Sequence, residues 1–134
     1  MMKSSHWRFH HVGLATKSVK SFLSRFGDIE ATETLEFEDP TQGVYGKFVN
    51  VGGICLEVME PLSGDPTLDP WLESGNRIYQ IAFEVDDLDA EIEHAHDERI
   101  RVVRAPHAAA AFNGRRVAFL MPAPGLLIEL IESS

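Results

Sequence analysis

The sequence predicts an α+β fold made of two copies of one module, strand–helix–strand–strand–strand. Three observations carry that prediction. Residues 54–60, Ile-Cys-Leu-Glu-Val-Met-Glu, and residues 126–132, Leu-Leu-Ile-Glu-Leu-Ile-Glu, write the same strand pattern twice, 72 positions apart. His11-Val-Gly-Leu-Ala near the start and Gln80-Ile-Ala-Phe-Glu in the middle form a second matched pair. Alternating and helical apolar periods then follow one another in the same order through both halves. Repetition on this scale outranks local propensity, because a missed repeat misassigns the whole architecture.

The first module spans residues 8–61. Arg8 to Ala15 alternates and reads as a strand. Lys17 to Phe26 places Val19, Phe22, Leu23 and Phe26 at spacings of three and four, a helical stripe with Ser18 as its N-cap and Gly27 as its stop. Glu30 to Glu38 alternates Thr and Glu with Ala31, Leu35 and Phe37, a strand with one wet face. Asp39-Pro40-Thr41-Gln42-Gly43 is a turn cluster. Val44 to Val51 and Ile54 to Glu60 are strands joined by a tight Gly52-Gly53 hairpin. Residues 62–76, rich in Pro, Gly, Ser and Asp, form a linker with Trp71-Leu72 as a short helical anchor.

The second module, residues 77–132, repeats the order. Ile78 to Val85 is a strand. Asp86-Asp87 caps a helix to Glu98 that gathers Leu88, Ile92 and Ala95 on one face. Ile100 to Arg104 is the next strand, and Pro106 to Gly114, with four consecutive alanines, is a loop. Arg116 to Met121 and Leu126 to Ile131 close the module through Pro122-Ala-Pro-Gly125.

Composition narrows the class. With 134 residues, 44% hydrophobic and 25% charged, this is an ordinary globular domain's worth of chain. No apolar run approaches the ~20 residues that cross a bilayer. The first residues lack the apolar stretch of a secretory signal, and a single Cys55 can form no internal disulfide. Cys55 sits in an apolar strand pattern and reads as a small buried hydrophobe. These features point to a cytoplasmic protein without a membrane partner. A net charge of −9 argues against broad nucleic-acid binding. It leaves an anionic small substrate open, because Arg77, Arg99, Arg101, Arg104, Arg115 and Arg116 supply local positive charge.

The repeat also places chemistry. In each half a polar donor, His11 or Gln80, lies in the first strand, and a Glu, Glu57 or Glu129, interrupts the last. If those strands are neighbours, His11 meets Glu57 and Gln80 meets Glu129. A pseudo-twofold between the halves then gathers one imidazole nitrogen and three oxygens. Such a set suits a hard or borderline divalent cation: Mn, Co, Ni, Fe(II), Zn or Mg. A lone Glu in an apolar strand is ordinarily a solvent-facing position; its recurrence at equivalent places favours a buried pair, which is costly unless something positive meets it. Glu60 and Glu132 at the ends of the same strands read as the solvated copies. His10 and His11 must face opposite ways, and His94 and His96 read as surface histidines of a helix. Arg115 and Arg116, beside the Asn113-Gly114 turn, are candidates to receive a substrate carboxylate or phosphate.

His11-Val-Gly-Leu-Ala, Gln42-Gly-Val, Glu57-Val-Met-Glu-Pro-Leu62, Ile81-Ala-Phe-Glu-Val-Asp-Asp87, Gly114-Arg-Arg-Val-Ala-Phe119 and Leu127-Ile-Glu-Leu130 resemble the vicinal oxygen chelate (glyoxalase/bleomycin-resistance/dioxygenase) superfamily. Within it they are most similar to the methylmalonyl-CoA epimerases and glyoxalase I-like proteins. The resemblance implies two βαβββ modules in a cupped, barrel-like mixed sheet with helices outside, in a homodimer. It puts the metal on His11, Glu57, Gln80 and Glu129, with Glu129 also the catalytic base. Two departures stand out. The epimerases carry His where this chain has Gln80, and their non-ligand catalytic Glu, two residues past the Gln42-Gly-Val motif, is Gly46 here.

The implied function is a metal-dependent isomerase, epimerase or lyase. It would act through a metal-chelated enolate on a CoA or glutathione thioester, methylmalonyl-CoA-like, or on a 2-oxo compound. The alternative from a different class is a non-catalytic binding or resistance protein of the same superfamily. Four intact donors weigh against that alternative, and a single His at the metal weighs against a ring-cleaving dioxygenase.

Overall fold

A computed structural model describes residues 6–25, 32–73, 75 and 77–134, with backbone only at 32–34. The chain divides into two compact units, His11–Tyr79 and the residues up to His10 together with Gln80–Ser134. Both divisions fall inside strands, β1 (Arg8–Ala15) and β5 (Arg77–Val85).

In the unit His11–Tyr79, β1 is followed by α1 (Val19–Ser24), β2 (Thr32–Asp39), β3 (Val44–Val51), β4 (Ile54–Pro61) and α2 (Asp69–Leu72). The strand order is β2-β3-β4-β1, antiparallel except for the parallel β1–β4 pair. Ser18 caps α1 as its sequence position predicts, its hydroxyl accepting the Ser21 N–H at 3.1 Å. The predicted Gly27 stop lies outside the described residues. Gly52 and Gly53 turn the β3–β4 hairpin at φ +57° and +81°, the left-handed pair that a two-residue turn between twisted strands requires. One sheet face packs Leu14, Val49 and Val58 on Val19, with Phe22 and Leu23 of α1 alongside. The linker is no free tether: Leu62 N–H donates to Gly43 O at 2.9 Å, Leu68 and Leu72 are buried, and Trp71 rests on Tyr79.

The second unit repeats the plan with β5, α3 (Leu88–Asp97), β6 (Arg101–Ala108), β7 (Arg116–Ala123) and β8 (Leu126–Glu132). Its order is β5-β8-β7-β6, again with one parallel pair, β5–β8. Asp87 caps α3 by accepting the Ala90 N–H at 3.0 Å. Leu88 and Ala95 bury against Val85, Ala118, Leu120, Ile128 and Leu130, with Ile92 packed beside them. The stripe predicted on that helix is its buried face. The N-terminal residues join this unit through Trp7 on Phe83, 5.4 Å between ring centroids, and through Arg8 to Glu84 and Asp86.

The α+β class and the repeated module therefore hold, and two boundaries change. β6 continues to Ala108, well past Arg104, where the sequence pattern suggests a loop. Its register against β7 shifts between Arg104 and His107, and that irregularity accommodates Pro106, which has no N–H to give a ladder. The alanine run becomes a short 3-10 turn, Ala110–Phe112, ended by Asn113 in the left-handed region at φ 55°. β7 likewise runs to Ala123, leaving only Pro124-Gly125 as the turn; Gly125 takes φ +77°. No described helix is long and apolar enough to cross a membrane.

Candidate functional site

Strand alternation sets up the donors in each unit separately. In His11–Tyr79, β1 and β4 run parallel with Gly13 beside Glu57, so His11, two residues back along β1, shares the face of Glu57. The imidazole Nε2 lies 3.3 Å from Glu57 Oε1. His11 is fully buried and Glu57 is 4% exposed. Phe48, the register partner of Glu57 on β3, sets its ring edge-on to His11 at 5.2 Å, closing the pair off with an apolar wall. In the other unit Gln80 and Glu129 are 3% and 2% exposed. Ala82 is the register partner of Glu129 and Gln80 that of Leu127, so alternation puts both polar side chains on one face of the sheet.

Each unit thus buries a matched pair of strongly polar side chains on the sheet face away from its helix. Burying a carboxylate costs several kcal/mol unless a positive partner meets it. His11, Glu57 and Glu129 are each buried within their own unit and are of residue types that ligate metal ions. The donor chemistry fits a divalent cation of hard or borderline character: imidazole, carboxylates and an amide oxygen, with no thiolate among them. Cys55 is half-buried, and burial pushes its thiol up, as expected of an inert side chain.

The remaining predicted residues are placed less openly. Gln42 is held by Asp39: its Nε2 donates to Oδ2 at 3.0 Å, while Oδ1 takes the Thr41 and Gln42 N–H groups. Asn113 is exposed at the left-handed turn. Arg115 donates to Glu84 Oε2 at 2.8 Å and to Glu132 O, with its guanidinium over the Phe112 ring. All three guanidinium nitrogens of Arg116 donate to Asp89 or Glu132, which raises its pKa far above the ordinary range. Both arginines are thus engaged with the protein's own carboxylates.

Glu60 and Glu132 are not the solvated copies the pattern suggests. Glu60 accepts the Val19 N–H at 2.9 Å, satisfying the first turn of α1, and Glu132 pairs with Arg116. Nothing in the sequence spacing signals these partners, which come from neighbouring elements. His94 and His96 are exposed, as expected, and His10 turns its ring edge to Phe112.

Gly46 is buried beneath Phe37 and Met59. A Cβ there would lie 2.7 Å from Phe37 Cζ and 2.9 Å from Met59 Cγ. A side chain at this position therefore needs Phe37 and Met59 to move. Gly46→Glu is expected to cost about 1–3 kcal/mol of overpacking, read as a lower urea midpoint with unchanged slope. An unchanged midpoint would show that Phe37 and Met59 yield freely.

The profile of the Glyoxalase/Bleomycin resistance protein/Dioxygenase superfamily matches residues 10–119. The chain belongs to this superfamily. It is 31% identical over 130 residues to the "Uncharacterized protein YqjC" of Bacillus subtilis (strain 168), covering 93% of this chain and 91% of that one. It is 27% identical over 131 residues to the mitochondrial methylmalonyl-CoA epimerase of Mus musculus, covering 94% and 73%. Among solved structures, a methylmalonyl-CoA epimerase in complex with methylmalonyl-CoA and NH4+ matches with a TM-score of 0.83 at 26% identity, over 97% of this chain and 96% of the other. Relatives of this superfamily chain thus include epimerases that act on an acyl-CoA.

Proposed function

We propose that this protein is a metal-dependent epimerase of the vicinal oxygen chelate type, acting on the carbon next to the thioester carbonyl of a methylmalonyl-CoA-like substrate. The carrying observation is the pair of buried donors in each unit, His11 with Glu57 and Gln80 with Glu129, in a chain similar to methylmalonyl-CoA epimerases. His11, Glu57, Gln80 and Glu129 would hold one divalent cation. When bound, such an ion acts as a Lewis acid that makes the C–H beside a carbonyl more acidic.

The chain's own residues supply the rest. Glu129 takes the α-proton at its carboxylate, and its burial excludes water that would otherwise solvate and weaken the base. Phe48, against His11, keeps that donor pair dry. Gln80 supplies a neutral oxygen where the resemblance implies an imidazole, which shifts the preference toward harder ions.

Protein purified without chelator is expected to carry about one equivalent of a divalent ion, measured by elemental analysis. Incubation with methylmalonyl-CoA in deuterium oxide is expected to place deuterium on the α-carbon. A protein that binds no divalent ion and catalyses no exchange would be a small-molecule binder of the same superfamily.

A further inference from the structure

An epimerase moves protons on two faces of one carbon, and the resemblance to the epimerases implies a second carboxylate at the position where this chain has Gly46. We propose that His107 is the second proton-transfer residue, its Nε2 serving the face of the substrate carbon opposite to Glu129. This rests on the epimerase assignment above.

Four observations within the unit Gln80–Ser134 support it. First, His107 lies on β6, and its ring stacks on Phe119 of β7 at 6.1 Å and an interplanar angle of 26°. Phe119 is the register partner of Glu129, so His107, Phe119 and Glu129 occupy one face of the sheet, the face that also carries Gln80. Second, His107 and Glu129 stand two strands apart, about 10 Å in the hydrogen-bonding direction. Both side chains rise from the same face of the sheet, with Phe119 on the strand between them. Third, Nδ1 lies 2.9 Å from Ala105 O, a contact only an Nδ1–H can make as a hydrogen bond. When the ring is neutral, that contact leaves the lone pair on Nε2. Fourth, Nε2 is buried and makes no hydrogen bond among the described residues. An unmatched buried acceptor costs about 1–3 kcal/mol and is rare in native structures. The Pro106 irregularity in β6, immediately before His107, re-aims the strand at this point.

The proton balance is simple. Glu129 takes the α-proton, the C–H bond breaks, and its electron pair passes into the enolate. His107, protonated at Nε2, gives its proton to the opposite face and a C–H bond forms. Glu129 then loses a proton to water and His107 takes one, so nothing is consumed. The reverse epimer uses the same groups in exchanged roles.

The test is His107→Gln, with His107→Asn as a second variant, assayed on each methylmalonyl-CoA epimer in deuterium oxide. Inversion is expected to fall by about 10²–10⁴-fold. Deuterium should still enter the epimer whose proton faces Glu129, with retention of configuration. A role in positioning alone would lower exchange and inversion together, and that outcome overturns the proposal, as does unchanged inversion. If neither variant folds, the wild-type His107 ring nitrogens, followed by 15N NMR, should shift on saturation with methylmalonyl-CoA; no shift overturns the proposal. A wild type that binds methylmalonyl-CoA but neither exchanges nor inverts it overturns the epimerase assignment itself, and the His107 role with it.

Discussion

Glu129→Gln is expected to lower α-proton exchange into methylmalonyl-CoA by about 10²–10⁴-fold while leaving the fold in place. Gln has nearly the volume of Glu, and Glu129 sits in a β8 strand whose neighbours Ile128, Leu130 and Ile131 are buried, so packing changes little. The amide oxygen can still donate to a cation, whereas an amide accepts no proton at neutral pH. Base strength and ligation are thus separated. Glu129→Ala removes both, and its metal content should fall well below that of Glu129→Gln. Stopped exchange assays with elemental analysis on both variants read the difference. If Glu129→Gln retains the wild-type exchange rate, Glu129 is not the base.

The parts of this protein legible from its sequence are those encoded within one strand or helix. Ser18 and Asp87 announce their helices because capping is local. Gly52-Gly53 announces its hairpin because only glycine takes two left-handed residues without strain. The buried donors were legible for a different reason: the repeat writes each position twice, so His11 is checked by Gln80 and Glu57 by Glu129. What the sequence hides is set by partners on other elements. Glu60 reads as a strand-end carboxylate until α1 presents the Val19 N–H to it. Arg115 and Arg116 look free until Glu84, Asp89 and Glu132 are brought to them. His107 reads as a loop residue because Pro106 interrupts the alternation, although β6 absorbs the proline in a register shift and carries on.

His11→Leu is expected to destabilise the metal-free protein by about 1–3 kcal/mol, the usual cost of leaving a buried polar group without its partner. The imidazole it deletes lies 3.3 Å from a Glu57 side chain that is 5% exposed. Leucine offers that carboxylate no polar partner, and the Phe48 wall admits little water to replace it. The double variant His11→Leu/Glu57→Leu removes the stranded carboxylate as well, so it should recover most of the loss, since replacing both partners of a buried polar pair by apolar side chains of similar size is nearly neutral. Urea unfolding of the wild type, both single variants and the double variant measures the coupling directly. A double variant no more stable than His11→Leu would mean that the loss is one of packing around Phe48 rather than of a stranded polar group. A divalent ion sharpens the comparison. At 100 times its dissociation constant it should stabilise the wild type by about 2.7 kcal/mol. The double variant, with half of the proposed donors gone, should gain far less, because an ion stabilises a fold only by as much as it prefers the folded site. An equal gain in both proteins would place the ion elsewhere and detach His11 and Glu57 from the metal.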